Sequence, residues 1–153
     1  MGCTNVKTFS GTRVFVSADM PIVTPGQALT EADYAAVAWT EVLSHTELPS
    51  MGREHTEVTA QLMGSAQDCV AKGGYSMGSG SLKCVDDSTD AGLTLLKNAA
   101  KTYDNYSFKM EFADGTKRYN IGHIVSAVDA GGARDDIRYV DVNVTWKADV
   151  LDA

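Results

Sequence analysis

Catalysis or metal binding in this sequence would have to come from three histidines, three cysteines and two adjacent aspartate pairs. His45, His55 and His123 are too far apart for the short ligand repeats of a zinc site, and Cys3, Cys69 and Cys84 supply no C-x-x-C companion. Cys69 and Cys84 could face each other across a hairpin centred near Ser76 and Met77, and in a reducing cytosol they would stay thiols. A serine nucleophile lacks its setting, because Gly78-Ser79-Gly80-Ser81-Leu82 is no nucleophile elbow and does not lead from a strand into a helix. The glycine-rich run 73–80 has no Gly-Lys-Ser/Thr ending and leads into a strand, so no helix N-terminus waits there for phosphate. Asp86-Asp87 and Asp135-Asp136 adjoin turns, whereas a calcium loop alternates its oxygen ligands over a longer stretch. The expectation is a protein that is not an enzyme, with no cofactor and no metal.

The elements that would position these groups fit one domain. The chain has 153 residues and ordinary apolar content, enough to bury a core. No stretch reaches the roughly 18 apolar residues that span a bilayer, and the first ten residues lack a signal-peptide core, so cytoplasmic synthesis is expected, without membrane insertion. The net charge of −7 opposes nucleic-acid phosphates, and the longest basic cluster is only Lys117-Arg118. Such a charge suits a protein that lets DNA pass without holding it.

Along the chain, residues 1–11 read as a mobile arm, 12–148 as the domain and 149–153 as a tail. Strands are expected at 12–16, 36–44 and 54–61, the last polar and Thr-rich like a strand lining a wet channel. A hairpin is expected to pair 68–72 with 81–85 around a flexible tip at 73–80. Thr30 and Asp33 predict a short capped helical turn. A longer helix, capped by Asp87 or Ser88, carries Leu93, Leu96 and Ala100 on one stripe. In the last third, Tyr106, Phe108, Met110 and Phe112 alternate with polar residues, Asp114-Gly115 turns the chain, 116–128 returns, and Val140, Val142, Val144 and Trp146 share one face of the final strand. The sum is mainly β: a β-sandwich or open barrel of about seven strands with one packed α-helix. Strands of mixed polarity on both faces, with a loop and a hairpin projecting from a compact core, point to self-assembly.

In this order of elements the chain resembles the major tail tube proteins of long-tailed, siphophage-type bacteriophages. The features that carry the resemblance are Leu29-Thr30-Glu31-Ala32-Asp33-Tyr34 followed by Trp39-Thr40-Glu41-Val42, then Leu48-Pro49-Ser50-Met51-Gly52, Glu57-Val58-Thr59, Lys72-Gly73, the helix over 90–101, the hairpin over 108–115, and the last strand ending in Trp146. The resemblance implies hexameric rings stacked into a hollow tube, with DNA passing through during ejection. It also implies tape-measure and tail terminator or tip proteins as partners, and a virion tail assembled in the host cytoplasm. The loop of Ser44, His45, Thr46, Glu47, Leu48, Pro49, Ser50, Met51, Gly52 and Arg53, with the N-terminal arm, would bridge rings. The helix would pack on the outside. Taken with strand alternation, the resemblance sets Glu57, Lys109, Glu111, Asp141 and Asn143 toward the lumen, beside Ser107 and Thr145. The alternatives are the inner tube of a contractile tail or a secretion-type tube and, in another class, a β-sandwich module that binds carbohydrate or a partner.

Overall fold

The computed structural model describes residues 7–22, 25 and 27–152. Cys3 and the first six residues of the arm lie outside them. The described residues form ten strands and two helices: β1 (Arg13–Ser17), α1 (Glu31–Ala35), β2 (Thr40–Val42), β3 (His45–Glu47), β4 (Glu54–Ala60), β5 (Cys69–Ser76), β6 (Ser79–Val85), α2 (Ala91–Ala99), β7 (Tyr106–Glu111), β8 (Lys117–Asp129), β9 (Tyr139–Trp146) and β10 (Leu151–Asp152). The mainly β expectation holds, and the strands divide into two unequal sheets.

The larger sheet runs β2-β1-β7-β8-β9-β6-β3, with β10 added beside β8, and its pairings are antiparallel. Its two terminal strands, β2 and β3, are joined only by Leu43 and Ser44. So short a connection between opposite ends of a seven-strand path requires the sheet to roll up on itself. The seam is closed by polar contacts. The ring nitrogens of His45 lie 2.8 Å from Val42 O and 3.1 Å from Thr12 O. The N–H and hydroxyl of Ser44 donate to Asp90 Oδ2 at 3.0 and 2.6 Å.

The inner face of the roll is the main core. Val14 and Val16, Phe108 and Met110, Leu82 and Cys84, and Val140, Val142, Val144 and Trp146 are all buried there, as period-two alternation requires. Trp146 meets Phe108 edge-on at 5.2 Å and donates its indole N–H to Ser50 O at 2.7 Å, which satisfies its one polar atom. Helix α2 fills the roll with Leu93, Leu96 and Ala99. Its N-cap is Asp90, where Asp87 or Ser88 was expected. Asp90 Oδ1 accepts from Gly92 N at 3.1 Å while its other oxygen holds Ser44, so one buried carboxylate caps the helix and ties it to the seam. The α1 turn matches expectation: the Thr30 N–H and hydroxyl both donate to Asp33 Oδ2, at 2.7 and 3.0 Å. The Asp114-Gly115 hairpin also forms, with Gly115 at φ 88°.

Three further expectations are corrected. Residues 36–44 do not form one strand: only Thr40–Val42 pairs, and Leu43 turns outward. Both faces of 36–44 carry apolar residues, so alternation there had no polar face to fix it. The hairpin of 68–72 with 81–85 does not exist. β5 pairs with β4, and β6 pairs with β9 and β3, so residues 73–80 belong mostly to two strands of different sheets. Cys69 therefore stands exposed opposite Ala60, and Cys84 is buried opposite Val140, its thiol pushed up to about 12 by burial. Finally, His45–Glu47, expected in a projecting loop, is an edge strand on β6, and residues 48–53 run from it along the core to the smaller sheet.

A charge cluster bolts α2 to the sheet. Asp86 accepts from Lys97 at 3.1 Å and from Arg138 at 2.5 Å. The Lys97 hydrogen bond, followed by the two nearby positive charges, holds the Asp86 carboxyl below its ordinary value. A carboxylate depressed on folding stabilises fully above its unfolded pKa of about 3.9 and loses that contribution as pH falls through the folded value. The melting temperature of Asp86→Asn should therefore lie below the parent's at pH 7 and converge with it as pH falls through the depressed folded value of Asp86. A gap that persists unchanged at low pH would contradict the assignment.

Candidate functional site

The lumen candidates divide between two elements. Lys109, Glu111, Asp141 and Asn143 lie on the outer face of the rolled sheet, opposite the buried Phe108, Met110, Val140 and Val142. Glu57 lies on the smaller sheet, opposite Lys72.

That outer face is itself divided. At one end α1 and its neighbours cover it: the Tyr34 and Tyr119 rings stack at 4.7 Å, with Trp39 and Ile121 beside them. Lys109 is half-buried here, its Nζ 4.3 Å from the Phe15 ring and 5.2 Å from Trp39, and desolvation lowers its pKa. Ser107, grouped with the lumen residues by alternation, is fully buried and donates to Asp19 O at 2.8 Å. At the other end the face is open and polar. Lys83 opposes Asp141, Ser81 opposes Asn143, and Asn143 donates to Ser126 at 2.8 Å. A solvated, hydrogen-bonded surface of this kind could line a wet passage; the covered end could not.

The smaller sheet is the ribbon β4–β5, which pairs with nothing else among the described residues. Seven to eight residues per strand reach about 25 Å. Nearly every residue of both strands is exposed. Its register separates two faces. Val58 pairs with Ala71 and Ala60 with Cys69, so one face carries Val58, Ala60, Cys69 and Ala71. Glu57 opposite Lys72 and Thr59 opposite Val70 form the other. Gly73 belongs under the first face: a Cβ there would meet Val58 Cγ2 at 2.8 Å and Thr56 O at 3.0 Å. The connection between the strands carries Leu62 and Met63, the latter fully exposed. A lone two-stranded ribbon is marginal in water, and one apolar face without cover is a surface awaiting a partner.

Sequence reasoning set the projecting segments at the loop 44–53 and the hairpin around 73–80; it expected the strand over 54–61 but not its pairing with 69–76. The available signal was the small apolar alternation at Val58 and Ala60, repeated at Cys69 and Ala71.

The histidines sit on separate elements: His45 at the seam, His55 on the ribbon beside Tyr75 with rings 5.3 Å apart, and His123 on β8 opposite Thr145. Among the described residues, no three His, Cys, Asp or Glu side chains gather into a metal-binding group, and no helix is long and apolar enough to cross a membrane.

No family model matches the chain, and no curated protein matches it. Solved structures do. A chain of the six-fold symmetrised cryo-EM structure of the anti-feeding prophage baseplate superposes with a TM-score of 0.62 at 7% identity, covering 100% of this chain and 97% of that one. A type six secretion system protein superposes at a TM-score of 0.47 and 16% identity, covering 88% and 79% of the two chains. At 7% identity the first match shows a shared fold over the whole length of both chains.

Proposed function

We propose that this protein is a structural subunit of a phage-tail-like tube or of the ring on which one is built, in the contractile, injection-type branch of such assemblies. The observation that carries this reading is the whole-length fold match to a chain of a six-fold symmetrised prophage baseplate. That match favours the contractile or secretion-type alternative over the siphophage tube. The rolled sheet is the body of the subunit, and the ribbon is its contact arm: its apolar face docks on a second copy, which removes Val58, Ala60 and Ala71 from water. A patch that meets a different patch on the next copy makes a head-to-tail contact, and such contacts close into rings or extend into filaments. The open polar end of the outer face, with Asp141 and Asn143, is the part suited to line a passage, and the protein's net charge of −7 keeps DNA from sticking. The role is structural, without catalysis.

Purified protein should form rings or hollow tubes in negative-stain electron microscopy as its concentration is raised. A monomer at every concentration, checked by sedimentation velocity, would overturn the reading. A β-sandwich binding module has less support, because Trp39 and Tyr119 are packed with Tyr34 of α1 and the exposed aromatic side chains, Phe9, Tyr75 and Tyr103, stand on separate elements and form no row.

A further inference from the structure

The root of the ribbon combines two unusual backbone positions with one clasp. The chain enters β4 just after Gly52, at φ 147°, and leaves β5 just before Gly78, at φ 77°. L side chains rarely adopt either conformation. The two glycines touch: a Cβ on Gly78 would lie 3.0 Å from Gly52 O. No strand pairing links β4 or β5 to the large sheet, so the backbone at these two points is the covalent root of the whole ribbon.

Arg53 sits on that root, between Gly52 and the first residue of β4. Its guanidinium lies 4.2 Å from the centre of the Tyr75 ring on the returning strand. The same group forms a two-pronged ion pair with Asp149, Nε to Oδ1 at 3.2 Å and a second contact from Nη2 to Oδ2. Asp149 belongs to the body. It lies between β9 and β10, and β10 is pinned to β8 by pairing at Leu151 and Asp152 and by Arg118 on Asp152 at 3.0 Å. One side chain thus grips the ribbon by a ring face and the body by a carboxylate.

We propose that the β4–β5 ribbon is a hinged arm that turns at Gly52 and Gly78 and is latched in its present pose by Arg53, clasped between Tyr75 and Asp149. The latch is weak by design of its surroundings. Both ionic partners are about half exposed, with side-chain exposures of 40% and 51%. An exposed ion pair with a cation–π contact biases a two-state equilibrium by about tenfold, and salt screens the ionic part. The arm is therefore held ready, and a modest docking energy suffices to redirect it. The inference concerns the free subunit, so it stands or falls apart from the assembly reading.

The test uses the full chain below any assembling concentration. Nitroxides are placed on native Cys69 and on Ala113→Cys in a Cys3→Ser background; buried Cys84 does not react. Double electron–electron resonance then reads the distance from ribbon to body. The otherwise unchanged protein at low salt should give one dominant distance. Asp149→Asn, which removes only the ionic part, should raise the share of a second distance about threefold. Adding 1 M salt should move the parent toward that pattern and leave Asp149→Asn almost unchanged. Exchanging the charges, with Arg53→Asp and Asp149→Arg together, should restore part of the dominant distance. One unchanged narrow distance in parent and Asp149→Asn at both salts would show a ribbon rigid without its latch. Equally broad distances in every variant would show that no latch exists. Either result overturns the proposal.

Discussion

A Val58→Glu/Ala71→Glu variant is expected to remain a folded monomer and to stop assembling. The two positions face each other across the ribbon on its apolar side. Both are exposed, and Val58 is 52% accessible, so neither holds the core together. Two carboxylates directly opposite each other cost the ribbon about 1 kcal/mol at most, and the rolled sheet does not depend on the ribbon's pairing. In an interface the balance differs. Each unpaired charge removed from water costs about 2 kcal/mol or more, so the pair weakens a subunit contact by about 4 kcal/mol, roughly a thousandfold in affinity. Circular dichroism and melting should match the parent, while sedimentation velocity and negative-stain images show monomer where the parent forms rings or tubes. Val70→Glu, on the opposite ribbon face, should have a much smaller effect. Assembly by the double variant at the parent's concentration would refute the docking role of this face.

Gly92→Ala should destabilise the domain by about 3 kcal/mol, against the intrinsic preference of the helix. In the interior of an ordinary helix, alanine is about 1 kcal/mol better than glycine. Gly92 lies in the first turn of α2, and the helix crosses β2 at this point. An added Cβ would lie 2.5 Å from Glu41 O and 2.7 Å from Val42 Cα. These are backbone atoms of a strand paired to β1, so they cannot swing aside as a side-chain end would. To make room, α2 must lift, which loosens Leu93 and Leu96 in the core and stretches the bond from Gly92 to the Asp90 cap. For a domain of this size the loss lowers the melting temperature by about 6–12 °C. Thr94→Ala, at an exposed position of the same helix, is the control and should change little. A Gly92→Ala variant as stable as the parent would mean that α2 and β2 are not in this contact.

The residues most legible in the sequence were those whose local pattern had one physical solution. Tyr106, Phe108 and Met110 alternate with Lys109 and Glu111, and Asp114-Gly115 closes a hairpin, so β7 and β8 formed where the pattern put them. Val140 to Trp146 did the same, and the Thr30–Asp33 cap depends on neighbours three residues apart. For the residues expected toward a lumen, only the strand face was legible. Alternation correctly set Lys109, Glu111, Asp141 and Asn143 opposite the core, because it fixes which face a side chain takes. It could not say what covers that face: Trp39 arrives over Lys109 from 70 residues earlier, and Ser107 is buried by the segment at Asp19.

Strand pairing marks the boundary between the two kinds of knowledge. Periodicity and turn chemistry act over a few residues, and they suffice for a mainly β chain with an amphipathic helix. Long-range contacts are what pair β5 with β4 and not β6, bring β2 and β3 together from opposite ends of one rolled sheet, and make Asp90 rather than Asp87 the cap of α2. Each of these depends on backbone hydrogen bonds or buried contacts between segments distant in the chain. Such partners compete on register, packing and edge exposure together, and no local pattern carries that comparison. Long-range contacts also scatter the histidines, cysteines and aspartates: folding sends His45 to a seam, Cys84 to the core and Asp86 to an ion-pair cluster, and it leaves both strands of the ribbon exposed.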